Sequence, residues 1–128
     1  MNPIRSGKVV SRNTFSFKFG RLEVRARNPT GDWFWPAIWL MPQDEVYGGW
    51  PRSGEIDLME SKGNTRLFNN EGVNIGNEEF GSTLHFGTAW YNSAWWSSNF
   101  AARSPAGRGW DTDFHLYGME WTPSNTVY

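Results

Sequence analysis

The 128-residue chain contains no cysteine and no long apolar segment, and its charges are nearly balanced. Without cysteine there is no disulfide framework and no thiolate metal site. No apolar run approaches the ~18 residues of a membrane helix, and no signal-peptide pattern follows Met1. The 12 basic and 13 acidic residues create no net field that would steer a nucleic acid or a membrane surface to the protein. We therefore expect neither of these partners.

What the chain does have is an excess of aromatic residues. Nine Trp, nine Phe and four Tyr make up 17% of the sequence. Trp packs well in cores but is seldom fully buried, so part of the excess fits flat apolar surfaces on which the C–H faces of sugar rings stack. Some Trp residues fall in one long loop, where they either line a ligand groove or pack beneath the loop: Trp90, Trp95, Trp96 and Trp110.

Alternation of apolar and polar residues predicts β-strands along the whole chain. The predicted strands cover Phe15–Phe19, Leu22–Arg27, Trp35–Met41, Glu55–Glu60, Ser82–Phe86 and Phe114–Trp121. Long loops are predicted over 62–81, with at most a short strand inside, and over 90–113. No helical periodicity occurs, so the sequence predicts an all-β fold, an antiparallel β-sandwich.

The most unusual segment is Gly54-Glu55-Ile56-Asp57-Leu58-Met59-Glu60-Ser61, which has three carboxylates within six residues of an apolar run. Neighbouring like charges repel and strands disfavour Asp, so stability does not explain this pattern. Carboxylates with separated pKa values cleave glycosidic bonds, one as acid and one as nucleophile or base. We interpret the segment as an active site in preference to a solvated acidic edge. A Ca²⁺ site is the weaker alternative, because the intervening Ile, Leu and Met belong in a core.

The spacing of these carboxylates predicts an irregular strand. Glu55 and Asp57 share one face of a regular strand, whereas Glu60 points to the other face. One extra residue, with Met59 as the candidate, would form a β-bulge that returns Glu60 to the shared face. The Cα atoms of Glu55 and Glu60 would then be about 13 Å apart, so the carboxyls must converge to approach the ~5 Å of a retaining glycosidase. Asp57 between them is expected to keep one ionised and one protonated near neutral pH.

Several segments of the chain resemble consecutive blocks of the family-16 glycoside hydrolases, and most closely the laminarinases, which are endo-acting β-1,3-glucanases. These segments are Phe15–Arg27, Trp35–Pro42, Gly49–Pro51, Gly54–Ser61, Gly81–Gly87 and Phe114–Pro123. The resemblance covers essentially the whole chain. It implies a jelly-roll, concanavalin-like sandwich with an open cleft along its concave sheet. It also implies hydrolysis of β-1,3-glucan with retention of anomeric configuration. We expect no cofactor and no metal.

The resemblance also implies roles for individual residues. Glu55 matches the nucleophile, Glu60 the general acid/base and Asp57 the assisting carboxylate. Trp50 lies where the family has a Trp that stacks on a sugar near the cleavage point. Trp35 and Trp39 share a strand face, which is either the cleft wall or the core. They would bind substrate in the first case.

Two polar residues complete the candidate site. Arg25 alternates outward from its apolar neighbours and is either a hydroxyl-binding residue at the cleft or a solvated strand charge. His85 lies on a strand of the sheet that carries the carboxylates in the family. His85 is either a residue that contacts the substrate or the acid/base, or a hydrogen-bonded structural residue.

The family domain is longer than this chain, and strand-like sequence begins close to Met1 and stops soon after the turn at 121–125. We expect residues 1–128 to form an incomplete central portion of a catalytic domain, truncated at both ends. An extracellular location is implied by the family, because polymeric glucans are extracellular, and the complete domain is expected to be a monomer.

Two alternative functions remain. The first is a non-catalytic β-1,3-glucan recognition protein, in which one or both glutamates are typically replaced, whereas Glu55 and Glu60 are both present here. The second is a related hydrolase of mixed-linkage glucan or galactan. The extra residue between Glu55 and Glu60 and the loop 46–51 favour the laminarinase branch over the mixed-linkage enzymes.

Overall fold

The computed structural model describes residues 5–128 and contains seven antiparallel strands and two short 3₁₀ turns. The strands are β1 (Gly20–Ala26), β2 (Ala37–Leu40), β3 (Glu55–Ser61), β4 (Glu79–His85), β5 (Phe100–Arg103), β6 (His115–Trp121) and β7 (Thr126–Val127). The turns cover Trp90–Asn92 and Trp95–Ser97. The predicted all-β, antiparallel class is confirmed. Within residues 5–128, no helix has the length and apolar character needed to cross a bilayer.

The strands form two sheets with β3 and β6 inside them. One sheet has four strands in the order β2-β3-β4-β5, and the other has three in the order β1-β6-β7. The core lies between the sheets, where Leu58 and Met59 of β3 meet Tyr117 and Met119 of β6. Because side chains alternate across a strand, the other face of β3 is free to carry polar groups.

The strand β3 contains the predicted bulge. Asp57 pairs with Thr83 and Glu60 pairs with Gly81, so three steps along β3 match two steps along β4. The extra residue was predicted to be Met59, but Met59 pairs with Ile38 of β2, and Leu58 is the residue left without a partner there. Both side chains turn into the core, which explains why apolar residues occupy these two positions.

Hydrogen bonding from β4 stabilises the bulge. The Ser82 hydroxyl donates to the Leu58 carbonyl at 2.7 Å, and this serine is almost fully buried. An extra residue in a strand leaves backbone groups outside the regular ladder, and a buried carbonyl without a partner is costly. Ser82 therefore satisfies the group that the bulge releases.

Two strand predictions differ from the structure. Residues 15–19 do not form a strand, because Phe19 has a positive φ of 66° that interrupts the extended chain just before β1. The predicted loop 90–113 contains β5, which pairs with β4 from Glu79 to Ser82. Its short Phe-Ala-Ala-Arg sequence has little alternation, and pairing with β4 rather than local propensity fixes its conformation.

Candidate active site

The three carboxylates lie on the face of β3 that points away from the core. Glu55 is opposite His85, Asp57 is opposite Thr83, and the bulge brings Glu60 back to the same side. Asp57 is 2% exposed, whereas Glu55 and Glu60 are partly accessible. The strand therefore presents two accessible glutamates on either side of a buried aspartate.

Asp57 is the carboxyl that holds a proton. Burial, followed by the negative charges of Glu60 and Glu55, raises the pKa of Asp57 to about 8. Its carboxyl lies close enough to both glutamates for them to act on its pKa. The approach of the Glu55 and Glu60 carboxyls to ~5 Å of one another stays a prediction. That Asp57 keeps one glutamate ionised and the other protonated stays a prediction; the structure adds that Asp57 itself retains a proton near neutral pH.

Each glutamate accepts a hydrogen bond from a tryptophan indole. Trp50 Nε1 donates to Glu55 Oε2 at 2.5 Å, and Trp35 Nε1 donates to Glu60 Oε1 at 3.0 Å. A charge-assisted hydrogen bond of this kind holds a carboxylate in one orientation. The sequence predicted a sugar-stacking role for Trp50 and left Trp35 between cleft wall and core, and it predicted neither as a hydrogen-bond donor to a glutamate. The Trp35–Glu60 pair, 25 positions apart, becomes apparent only from the pairing of β2 with β3.

His85 is next to the acidic strand. Its Nε2 atom is 3.0 Å from Asp57 Oδ2, although the two groups are not aligned as a regular hydrogen bond. The His85 and Trp50 rings are also neighbours, with centroids 5.6 Å apart. The structure therefore brings His85 together with the predicted catalytic residues.

The same residues offer ligand atoms for a cation. One atom each from Asp57, Glu60 and His85 lies within 4.8 Å of the others, and this is the only such cluster within residues 5–128. Carboxylate oxygen with imidazole nitrogen suits several divalent ions. A proton on Asp57 occupies the same position near neutral pH, so any cation would compete with it.

An open groove of about 540 Å³ runs along this face. Trp35, Trp39 and the glutamates Glu55 and Glu60 line it, and the segment 6–9 forms a further part of its wall. Trp35 is 75% exposed, whereas Trp39 is half-buried, with Lys8 Nζ 4.3 Å from its ring centroid. Both Trp residues thus belong to the groove wall. The contribution of segment 6–9 was not predicted, since nothing in its local pattern indicates it.

Arg25 is the candidate that the structure does not bring to the site. It lies on β1 of the three-stranded sheet, where its guanidinium carbon is 4.4 Å from the Phe114 ring centroid. Its neighbours Val24 and Ala26 are less exposed, and Ala26 packs against the core. The outward alternation of Arg25 was correct, but it points away from the other sheet.

The four Trp residues left open by the sequence fall into two groups. Trp110 packs beneath its loop, with ring centroids 4.8 Å from Phe80 and 4.9 Å from His115, and its indole donates to the Glu78 carbonyl. The other three are exposed on the loop that follows β4: Trp90, Trp95 and Trp96.

The chain is similar in sequence and in fold to several known proteins. A "Beta-1,3-glucan-binding protein" of Penaeus monodon is 42% identical over 129 residues, covering 100% of this chain and 33% of that protein. A "Glucan endo-1,3-beta-glucosidase A1" of Niallia circulans is 39% identical over 120 residues, covering 94% of this chain and 16% of that protein. Among solved structures, the laminarinase from Rhodothermus marinus has a TM-score of 0.66 and 34% identity, covering 88% of this chain and 39% of that one.

This chain therefore spans at most 39% of the length of these three proteins. The family model described as "Glycosyl hydrolases family 16" matches residues 2–128, almost the entire sequence. The similarity to laminarinase structures also agrees with the expected jelly-roll sandwich. The chain belongs to glycosyl hydrolase family 16.

Proposed function

We propose that the protein is an endo-acting, retaining glycoside hydrolase of β-1,3-glucan. The observation that carries this proposal is the buried, protonated Asp57 close to two accessible glutamates on one strand face. Glycosidic cleavage with retention needs one carboxylate that attacks and one protonated carboxyl that acts as the acid, and the two accessible glutamates offer this pair. The groove beside them is open rather than closed, so a polymer can lie across it and be cut internally.

In the proposed reaction Glu55 is the nucleophile and Glu60 the general acid/base. Glu60 starts with a proton of its own, in addition to the one on Asp57. A Glu55 oxygen attacks the anomeric carbon while Glu60 gives its proton to the glycosidic oxygen, so that this bond breaks, an ester forms and Glu60 is left as a carboxylate. Glu60 then takes a proton from water, the water oxygen attacks the same carbon, and the Glu55 carboxylate leaves. Two inversions give net retention. Asp57 keeps a proton beside both glutamates and limits the repulsion between them.

Two indole donors support this assignment: Trp35, just before β2, and Trp50, in the loop before β3. The Trp50 hydrogen bond fixes the oxygen of Glu55 and leaves its partner oxygen for attack, while Trp35 orients Glu60. Nucleophilic displacement requires such a near-attack geometry. Trp35, Trp39, Trp50 and His85 are proposed to contact the sugar rings nearest the cleavage point.

The similarity to glucan-active proteins supports a polysaccharide substrate. Because polymeric glucans lie outside the cell, we infer that the protein acts extracellularly. We also infer that its complete domain works as a monomer.

Azide rescue distinguishes the two glutamates. In the natural full-length protein, Glu55→Ala with azide is expected to give an α-glucosyl azide from an activated β-glucoside, because azide takes the place of the nucleophile. The matched Glu60→Ala variant should give the β product. A β product from Glu55→Ala would assign the nucleophile to the other carboxylate, and no turnover of laminarin by the unchanged protein would contradict hydrolysis altogether.

A non-catalytic glucan recognition protein is the second candidate, favoured by the 42% identity to the Penaeus monodon binding protein. The presence of Glu55, Asp57 and Glu60 close together argues against it. The discriminating measurement is reducing-sugar release from laminarin alongside binding to insoluble β-1,3-glucan. Binding without release would select recognition.

Linkage preference is a separate question within the enzymes. We propose β-1,3-glucan over mixed-linkage glucan or galactan because β3 contains the extra residue between Asp57 and Glu60. A comparison of laminarin, lichenan and agarose as substrates tests this choice. Higher kcat/KM for lichenan or agarose would overturn it.

A further inference from the structure

The loop between β4 and β5 carries exposed aromatic residues that the proposed reaction does not use. Residues 86–102 form a run of 17 positions without a single charged side chain, and six of them are aromatic. Trp90 is 74% exposed and Tyr91 is 75% exposed, and Trp95 and Trp96 are exposed as well. We call these four residues the aromatic platform. So much accessible indole and phenol surface on one loop is unfavourable in water without a ligand.

The loop that carries the platform is held by many local hydrogen bonds. The Ala89 amide donates to Asn92 Oδ1, and Asn92 Nδ2 donates to Thr88 Oγ1, both at 2.7 Å. The Ser98 hydroxyl accepts from the Leu84 amide and lies 2.9 Å from the Leu84 carbonyl, to which it donates. Gly87 is packed so closely that a Cβ atom there would be 2.7 Å from the Asn92 carbonyl oxygen. The aromatic rings are thus presented by an ordered loop, which lowers the entropy lost on binding.

The platform is also connected to the candidate active site. Arg52 Nε, two residues after Trp50, donates to the Thr88 carbonyl at 2.6 Å and joins the two loops. His85, the last residue of β4, contacts the Trp50 ring and comes just before the platform loop. The platform loop is therefore attached to the Trp50 loop and begins next to His85, which pairs with Glu55.

We propose that the aromatic platform is a second sugar-binding surface, which holds distal rings of the same neutral glucan chain that lies at the carboxylates. Trp and Tyr faces stack on the C–H faces of pyranose rings, and the neighbouring Ser, Thr and Asn side chains suit their hydroxyls. The absence of charge in 86–102 favours a neutral glycan over an anionic one. The proposal rests on the proposed function for the identity of the glycan.

Its test compares long and short ligands in the full-length protein carrying Glu55→Gln, so that the ligand is not consumed. The Trp90→Ala/Tyr91→Ala double variant should raise the Kd for laminarin about tenfold, which corresponds to about 1.4 kcal/mol for two lost ring contacts. The Kd for laminaritriose, which is too short to extend far beyond the carboxylates, should not change. Phe114→Ala, which removes an exposed aromatic residue just before β6, is the matched control and should change neither constant.

Two results would overturn the proposal that the aromatic platform binds sugar. One is an unchanged laminarin Kd in the double variant with an unchanged melting temperature. The other is a concentration-dependent dimer in sedimentation that the double variant abolishes, since the rings would then bind a second copy. The same measurements distinguish this proposal from the proposed hydrolysis. If the natural protein is inactive but its laminarin affinity depends on Trp90 and Tyr91, the hydrolysis is contradicted and the sugar-binding platform is supported. If the natural protein is active but its laminarin affinity does not depend on these residues, the platform is contradicted and the hydrolysis is supported.

Discussion

The protonation of Asp57 is decided by its surroundings, not by its position in the sequence. The spacing of Glu55, Asp57 and Glu60 was sufficient to predict three cooperating carboxyls. It was not sufficient to say that Asp57 itself retains a proton, because this depends on burial and on distances set by the bulge and by β4. The indole donors were missed for the same reason, since side-chain hydrogen bonds between strands follow from register.

The raised pKa of Asp57 has a consequence for stability. Between the ordinary pKa of 3.8 and the folded value of about 8, the folded protein retains a proton that the unfolded chain has released. The free energy of unfolding therefore falls as pH rises through this window, by at most ~1.4 kcal/mol per pH unit. Asp57→Asn has no proton to retain, so its stability relative to the natural protein should improve from pH 5 to pH 7.5.

Urea denaturation at these two pH values measures the difference. Asp44→Asn, which changes an exposed aspartate, is the control and should follow the natural protein at both. Parallel pH profiles for Asp57→Asn and the natural protein would show that Asp57 is not protonated in the folded state.

A second residue-level prediction separates the ring of Trp50 from its N–H group. Trp50→Phe keeps an aromatic face but removes the donor to Glu55, and a hydrogen bond to a charged group contributes about 1.5–3 kcal/mol. We expect kcat on laminarin to fall at least tenfold with KM little changed. Trp50→Ala removes the ring as well and should also raise KM. Equal kinetics for the two variants, or a large drop in melting temperature with normal kinetics, would return Trp50 to a structural role.

At the level of elements, β3 shows which structural features the sequence could predict and which it could not. The odd spacing to Glu60 predicted a bulge, and the bulge is present. The identity of its unpaired residue was wrong, since Leu58 and Met59 are equally apolar and only pairing with β2 distinguishes them. β5 was missed because four residues at the edge of a sheet carry little periodic signal.

The Ser82 hydroxyl provides a test of the bulge as a functional device. Ser82→Ala leaves the Leu58 carbonyl without its partner, which should cost about 1–3 kcal/mol of stability. Because Glu60 follows the bulge by two residues, laminarin turnover should fall well beyond what the lost stability explains.

Ser61→Ala is the matched control, because Ser61 is also buried and also bonds a carbonyl across β3 and β4, that of Glu79, outside the bulge. It should lower the melting temperature similarly and leave kcat near normal. Equal activity in both variants at a temperature where both are folded would mean that the bulge does not orient Glu60.

At the scale of the whole molecule, the position of each strand in one sheet or the other governs which residues meet. Alternation identified the outward face of β1 but not the sheet to which β1 belongs. The sequence therefore could not choose between a cleft residue and a solvated strand charge for Arg25, and the structure shows that the cleft alternative was wrong. Sheet assignment depends on long-range pairing, which local patterns do not encode. The resemblance to a family identified the class and the acidic site, while β1 pairs with β6, almost a hundred residues later.

The molecule also has a large surface for its mass. Only four apolar side chains of the two sheets are buried, and the accessible area is 9518 Å². A compact monomer of 14.7 kDa exposes about 6,900 Å². We expect the 128-residue chain, produced by itself, to bind a hydrophobic dye and to melt without a sharp transition. A cooperative calorimetric transition with no dye binding would contradict this expectation.

The contact between Lys8 and Trp39 means that one wall of the groove is already in use by the chain itself. A cation above an indole face is worth about 0.5–1 kcal/mol where water has access. A sugar ring that stacks on this face must displace the ammonium and return it to solvent. The net affinity gained at Trp39 is therefore the difference between the binding free energies of the sugar ring and of the Lys8 ammonium on the same indole face. Lys8 is thus an intramolecular competitor of the substrate at Trp39.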